Sequence, residues 1–158
     1  MSVAAFRLVK EQHAPTAFDG IGAERFGGRW NSPGVRVVYT SESRALAVLE
    51  VLVHIDRTIP FRWVLCGCRI PADLVETLSR DDLPKDWDSS PAPRSAQAVG
   101  TSWASPGRRP VLRVPSAVVP DEFNLLLNPQ HPHFSRITML APVPFSFDPR
   151  LITSSDKR

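Results

Sequence analysis

The sequence predicts an α+β domain, a compact mixed sheet packed by a few helices, and three observations carry that expectation. Short apolar stretches recur along the chain between turns that hold many of its 16 prolines. Helical periodicity is confined to a few segments, and strands and helices do not alternate in the strict order of a parallel α/β sheet. A length of 158 residues suits one domain spanning 1–158 with a single core.

The elements follow in chain order. "AAFRLV" (4–9) predicts a first strand, then comes a glycine-rich loop over about 18–35 and a second strand in "VRVVYT" (35–40). Ser41 stands where it can cap a helix over "ESRALAVLEVLVHI" (42–55), because a serine oxygen accepts from an otherwise unpaired amide of the first turn. In that helix Leu46, Leu49, Leu52 and Val53 form the stripe predicted to be buried, while Ser43, Ala47, Glu50 and His54 fall on another. "PFRWVLCGCRI" (60–70) reads as a strand whose Cys66 and Cys68 share a face. A short helical piece near "ADLVETL" (72–78), an exposed polar loop in "DLPKDWDSSPAPRS" (82–95) and a second helix around "RSAQAVGTSWA" (94–104) come next. The last third reads as short strands, "PVLRV", "FNLLLN", "RITML" and "FSF", between proline-bearing turns.

Composition excludes several classes. A hydrophobic fraction of 42% and a charged fraction of 22% rule out disorder throughout. The amino terminus has no sustained apolar region and no run approaches a membrane span, so the expectation is a cytoplasmic protein without membrane contact. Three of the 19 basic residues are lysine (Lys10, Lys85, Lys157) and the rest arginine, a bias compatible with a phosphorylated ligand, an acidic partner or nucleic acid. Cys66 and Cys68 lack a second pair, and His131 and His133 lack further ligands, so neither a disulfide nor a metal site is predicted. "GIGAER" begins a dinucleotide-binding pattern at Gly20 and Gly22, but Arg25 stands where the third glycine belongs, and these glycines are assigned to a tight loop.

One segment carries more polar groups than a scaffold needs. "GGRWNSPGVRVVYTSESRALAVLE" (27–50) places Arg29 between glycine and tryptophan, Tyr39 at a strand end and Glu50 inside an apolar helix. A carboxylate amid "ALAVLEVLV" is expensive unless paired, solvated in a cleft or used, a solvated helix face being the plain alternative.

"FDGIGAERFGGRWNSPGVRVVYTSESRALAVLEVLVH", "RVPSAVVPDEFNLLLNPQHP" and "FSFDPRL" together resemble the RES domain, which supplies toxins to bacterial toxin-antitoxin pairs of the RES-Xre type. The resemblance spans nearly the whole chain. It implies a fold similar to ADP-ribosyltransferases, with NAD+ as substrate; no other cofactor is expected. It implies cleavage of the nicotinamide bond by hydrolysis or phosphorolysis, or ADP-ribosylation of a protein. It also implies an Xre-like DNA-binding antitoxin as partner, no specific nucleic-acid contact by this chain itself, and room for homo-oligomers within the complex.

By motif the resemblance carries function to Arg29, Tyr39, Glu50 and Ser116. Arg29 is suited to the pyrophosphate or ribose, or else stacks on Trp30 or caps a loop carbonyl. Tyr39 stacks on nicotinamide or donates to the ligand, or else is a core tyrosine. Glu50 stabilises positive charge developing on the ribose. Ser116 has no adjacent base to activate it, so it is assigned hydrogen bonding to ligand or to Glu50. Asn124 is taken as substrate-binding, Asn128 as aligning its loop, and His54 as a helix-end or supporting group. A basic nucleic-acid-binding module and a catalytically dead interaction module are the rival classes. "GRR" (107–109) is the only short basic cluster supporting the first.

Overall fold

A computed structural model of the chain describes residues 1–55 and 62–152. Strand β1 (Ser2–Lys10) leads through a 3-10 turn (Glu11–Thr16) to a short helix α1 (Ile21–Phe26), which lies inside the segment expected to be all loop. Then follow β2 (Val38–Ser41), α2 (Arg44–Leu52), β3 (Trp63–Pro71), β4 (Val75–Thr77), α3 (Arg94–Trp103), β5 (Val111–Pro115), β6 (Phe123–Leu127), β7 (Thr138–Met139) and β8 (Val143–Phe145). Pro60 and Phe61 of the expected third strand lie outside the described residues.

The α+β class stands, with local corrections besides α1. The last strand is Val143–Phe145 and not "FSF", of which only Phe145 pairs. Three more concern α2 and the segment after β3. Ser41 does not cap α2: it ends β2, paired with Asn124, and the helix starts two residues later with the Ser43 oxygen accepting from the Leu46 amide at 3.0 Å. The buried face of α2 is Leu46, Ala47, Val48 and Leu52, whereas Leu49 and Val53 are 39% and 52% exposed. Ala47 packs with Phe6 and Leu8 of β1, so the helix lies with its small residue toward the sheet, and Val53 falls beyond its last turn. In "ADLVETL" only Ala72–Leu74 turns, as a 3-10 piece; Val75–Thr77 is a strand because it pairs in parallel with Val111–Arg113.

The strands form a single sheet in the order β4-β5-β6-β2-β1-β3-β7, with β8 also on β3. All pairs but β4-β5 are antiparallel. Alternation along the strands sorts their side chains onto two faces. Ala5, Val38, Cys68, Val111, Leu125 and Leu127 close one face with Phe18 and Phe134. Two helices share the other. α2 covers Phe6, Leu8, Trp63 and Leu65 of β1 and β3. α3 covers Leu112 and Leu126 of β5 and β6 through Ala96 and Trp103, with Trp30 between.

The long β1-β3 ladder runs from Ser2–Pro71 to Lys10–Trp63, yet β1 meets β2 in register only at Phe6–Ser41 among the described residues. Beyond that point the strands part, and the space between the α2 half and the α3 half of the sheet opens as a cleft. Both cysteines are unpaired and buried, and burial pushes Cys66 upward and Cys68 up to about 12, so both stay neutral thiols inside the core. Among the described residues no helix is long and apolar enough to cross a membrane.

The α3 half depends on one close approach: a Cβ at Gly100 would sit 1.8 Å from the Trp30 carbonyl oxygen. Gly100→Ala is therefore expected to destabilise the protein by at least about 1–3 kcal/mol through overpacking. Gly22→Ala in α1, where a Cβ meets nothing within 4 Å, is expected to be neutral or to stabilise by up to about 1 kcal/mol from helix propensity. Urea unfolding of the two variants beside wild type checks both, and equal midpoints for the two would contradict this packing.

Candidate active site

The cleft has a volume of about 1160 Å³, room enough for a dinucleotide. Its floor is Phe6, Arg7 and Leu8 of β1 beside Tyr39, Thr40 and Ser41 of β2. One wall is Glu50, Val51 and His54 of α2; the opposite wall is Gly27, Gly28 and Arg29 with Asp88, Ser90 and Pro91 of the segment before α3.

Glu50 lies half-buried in the last turn of α2. Carbonyl groups converge at that end of a helix, which disfavours negative charge there. Two donors offset this. Ser116 Oγ and Asn124 Nδ2 each donate to Glu50 Oε1 at 2.7 Å, and Oε2 takes part in neither bond. The two donors come from β6 and from the turn after β5, so the carboxylate ties α2 to the far half of the sheet.

Ser116 has no capacity left for other chemistry. Its one proton goes to Glu50, and its lone pairs accept from the amides of Val118 (3.0 Å) and Val119 (3.1 Å). It is a fixed donor, buried at 4% exposure. Asn124 donates to Glu50 while its Oδ1 accepts from Ser41 Oγ at 2.7 Å.

Tyr39 is turned toward its own chain. Its hydroxyl donates to Asn31 Oδ1 at 2.6 Å and accepts from the Trp30 amide at 3.0 Å. Asn31 is fully buried and its Nδ2 donates to the carbonyls of Ala23, Ser32 and Val35. This pair pins the glycine-rich segment, and Gly28 must lack a side chain because a Cβ would lie 2.5 Å from the tyrosine oxygen. Tyr39 is still among the residues that line the cleft.

Arg29 holds the opposite wall. Its Nη1 donates to the carbonyls of Trp87 and Ser89, both at 2.8 Å, and Trp87 stacks on Trp30 with centroids 6.0 Å apart. The polar loop expected over 82–95 thus packs back over the cleft as a strap. The two Nη1 bonds leave Nε and Nη2 of Arg29 uncommitted by them.

The structure adds Arg7, Asn31 and Ser41 to the groups around the cleft. Arg7 faces the same side of β1 as Ala5 and Val9 but reaches the gap between β1 and β2, where Nη1 donates to the Tyr39 carbonyl at 3.0 Å. Its Nε is buried without a partner. Burial pulls the guanidinium below its ordinary value, opposed by Cys66 and Asp19. Since arginine does not give up its proton in proteins, a dehydrated guanidinium lining a cleft suits an anion. The charge interrupting "AAFRLV" is the signal that marks it. Asn31 and Ser41 leave no comparable trace, being ordinary turn and capping residues by type.

His54 lies exposed at the cleft rim. Asn128 aligns its loop, donating to the Ala104 carbonyl and accepting from the Gln130 amide. His131 bonds the Arg108 carbonyl and the His133 amide through its two ring nitrogens. Among the described residues no three His, Cys, Asp or Glu side chains cluster as a metal site.

Comparison with known proteins matches residues 4–148 to the RES domain. The chain is 39% identical over 148 residues to "Toxin Res" of Yersinia enterocolitica serotype O:8 / biotype 1B, covering 92% of this chain and 97% of the relative. It is 37% identical over 158 positions to "Prs ADP-ribosylating toxin" of Sphingobium sp., covering 96% and 98%. Its fold is similar to a chain of the M. tuberculosis MbcT-MbcA toxin-antitoxin complex, with TM-score 0.72, 21% identity, and coverage of 92% and 85%.

Burial raises the Tyr39 hydroxyl well above its ordinary value, against smaller opposing effects of the Trp30 and Asn31 bonds and of Arg29 and Arg7. A raised value means that the folded state favours the protonated form, so this contribution is complete below about pH 10 and is lost as pH rises through the folded value. Tyr39 is the only tyrosine, so tyrosinate absorbance near 295 nm reports on it alone. The absorbance is expected to stay flat through about pH 10 and to rise together with loss of the far-ultraviolet circular dichroism. Ionisation near pH 10 in a still-folded protein would show the hydroxyl to be open to solvent.

Proposed function

The chain belongs to the RES domain family, and from that footing we propose that it is the toxin of a toxin-antitoxin pair and that it cleaves the nicotinamide-ribose bond of NAD+. The observation that carries this reading is Glu50: a carboxylate at the unfavourable end of α2, held by two donors on Oε1 and presented to a dinucleotide-sized cleft. Breaking the bond between ribose C1′ and the nicotinamide nitrogen sends the electron pair to nicotinamide, which leaves neutral. Positive charge develops on the ribose, where a fixed carboxylate stabilises it without having to reorganise. The acceptor then forms its bond to C1′ and gives its proton to solvent.

Binding falls to the other groups. Arg7, whose side chain lines the cleft floor, is assigned to the pyrophosphate, and the remaining donors of Arg29 to the same group or the adjacent ribose. The Tyr39 ring offers nicotinamide a flat surface. Water or inorganic phosphate is the acceptor in the first reading. Transfer of ADP-ribose to a protein is the second, favoured by the similarity to the ADP-ribosylating toxin of Sphingobium sp..

The partner proposed is an Xre-like DNA-binding antitoxin that covers the cleft mouth, supported by the antitoxin in the complex that this fold resembles. DNA contact then belongs to the partner and not to this chain. Such an assembly could hold more than one copy of the toxin.

Incubating the protein with NAD+, with and without phosphate, and identifying the ribosyl product by mass spectrometry tests the reading. Nicotinamide is expected in every productive case; its absence with verified folded protein would sink the NAD+ assignment. Free ADP-ribose identifies hydrolysis, ADP-ribose 1″-phosphate phosphorolysis, and a mass increment on a protein transfer.

Glu50→Gln is expected to lower kcat about 100-fold to 1000-fold with KM little changed, and to leave stability unchanged or raised by about 0.3–1 kcal/mol as a charge leaves the helix end. Wild-type turnover, or a clear fall in Tm, would remove Glu50 from the chemistry or make its role structural. Arg7→Ala is expected to raise KM for NAD+ by about tenfold or more, because a charge-assisted bond of about 1.5–3 kcal/mol is lost from the ground state. Steady-state kinetics decides it, and an unchanged KM would free Arg7 from the pyrophosphate.

A further inference from the structure

Ser41 ends β2 with only 3% of its surface exposed. In the ladders it stands opposite Phe6 of β1 and Asn124 of β6, so the three residues form one row across adjacent strands on the cleft face. Within this row a chain of hydrogen bonds runs from Ser41 Oγ to Asn124 Oδ1 and from Asn124 Nδ2 to Glu50 Oε1, each at 2.7 Å.

The terminal torsion of asparagine is broad, so rotamer preference does not set the plane of the Asn124 amide. Two hydrogen bonds set it, one at each end. Glu50 accepts at Nδ2, and the Ser41 hydroxyl donates at Oδ1. Without the Ser41 donor, Oδ1 loses its partner and the amide, which lines the cleft, is anchored at one end only. It can then swing toward water or toward substrate hydroxyl groups. Glu50 Oε1 would keep Ser116 alone, and the carboxylate would be held by one donor instead of two.

We infer that Ser41 is a positioning residue: it acts through Asn124 to hold the Glu50 carboxylate in its working orientation. The inference rests on the proposed role of Glu50 at NAD+, but the relay itself exists in the substrate-free protein. A hydroxyl merely satisfying its own hydrogen bonds would stabilise the strand without acting through Asn124.

The test compares wild type, Ser41→Ala, Asn124→Ala and the double variant by two measurements. On substrate-free, 15N-labelled protein, the Asn124 side-chain amide protons are expected to be dispersed and slow to exchange in wild type. In Ser41→Ala they are expected to exchange like exposed amides while backbone resonances elsewhere keep their positions. In nicotinamide-release kinetics, Ser41→Ala is expected to lower kcat about fivefold to tenfold with KM within about twofold, the scale of one hydrogen bond.

Ser41→Ala introduced into Asn124→Ala is expected to add less than about twofold, because the relay has no other route. Ser41→Thr, which keeps the hydroxyl, is expected to retain the amide protection and most of the rate, and it serves as the folded control. Unchanged Asn124 exchange in Ser41→Ala, or rate losses that multiply fully in the double variant, would overturn the relay. A wild-type protein that releases no nicotinamide would overturn the NAD+ reading instead, and the amide exchange would still judge the relay.

Discussion

The cleft opens where the pairing of β1 with β2 ends. The two strands meet at Phe6 and Ser41, and beyond that position the backbone of β2 needs other partners. Arg7 supplies one, donating to the Tyr39 carbonyl from a strand that no longer reaches it. A charged side chain thus completes a sheet where backbone pairing stops. The same gap, lined by Leu8, Tyr39 and Thr40, separates the half of the sheet under α2 from the half under α3.

One face of the sheet carries a continuous apolar core, but on the cleft face the two halves are joined by polar contacts. Glu50 projects from α2 and is met by Ser116 and Asn124 from the other half, with Ser41 behind them. A buried polar network rigidifies only when its members are satisfied. Here Ser116 is saturated by two backbone amides, and Asn124 is held at both ends. One carboxylate oxygen is left out of these bonds. An arrangement built only for stability would have no reason to place that charge at the carbonyl end of a helix.

The far wall follows a different logic. Tyr39, Asn31 and Gly28 lock the glycine-rich segment against the sheet through the tyrosine hydroxyl. Gln97 of α3 donates to the Gly28 carbonyl, and Arg29 clamps the strap through the carbonyls of Trp87 and Ser89. The strap is exposed at Asp88, Ser89 and Ser90 and held chiefly by Trp87 and by Arg29. Arg29 thus fixes the strap from the cleft side, whereas the Glu50 wall is set by bonds to the sheet and the turn after β5.

Much of this was legible in the sequence. The α+β class, both longer helices and the central strands follow from periodicity, and "RSAQAVGTSWA" gave α3 nearly to its ends. Glu50 was conspicuous because charge within an apolar run has a visible cost, and Arg7 in "AAFRLV" carried the same signal unread. Other features depended on which segments meet. β4 became a strand through pairing with β5, and Ser41 left the helix cap for a ladder with Asn124, 83 positions away. Local sequence records the intrinsic preferences of a residue and the cost of burying it, and those determined the elements and flagged the costly charges. Hydrogen bonds between distant segments depend on register, which follows from how the whole sheet closes, so only the tertiary structure decided that Ser41, Asn124, Ser116 and Glu50 would form one network.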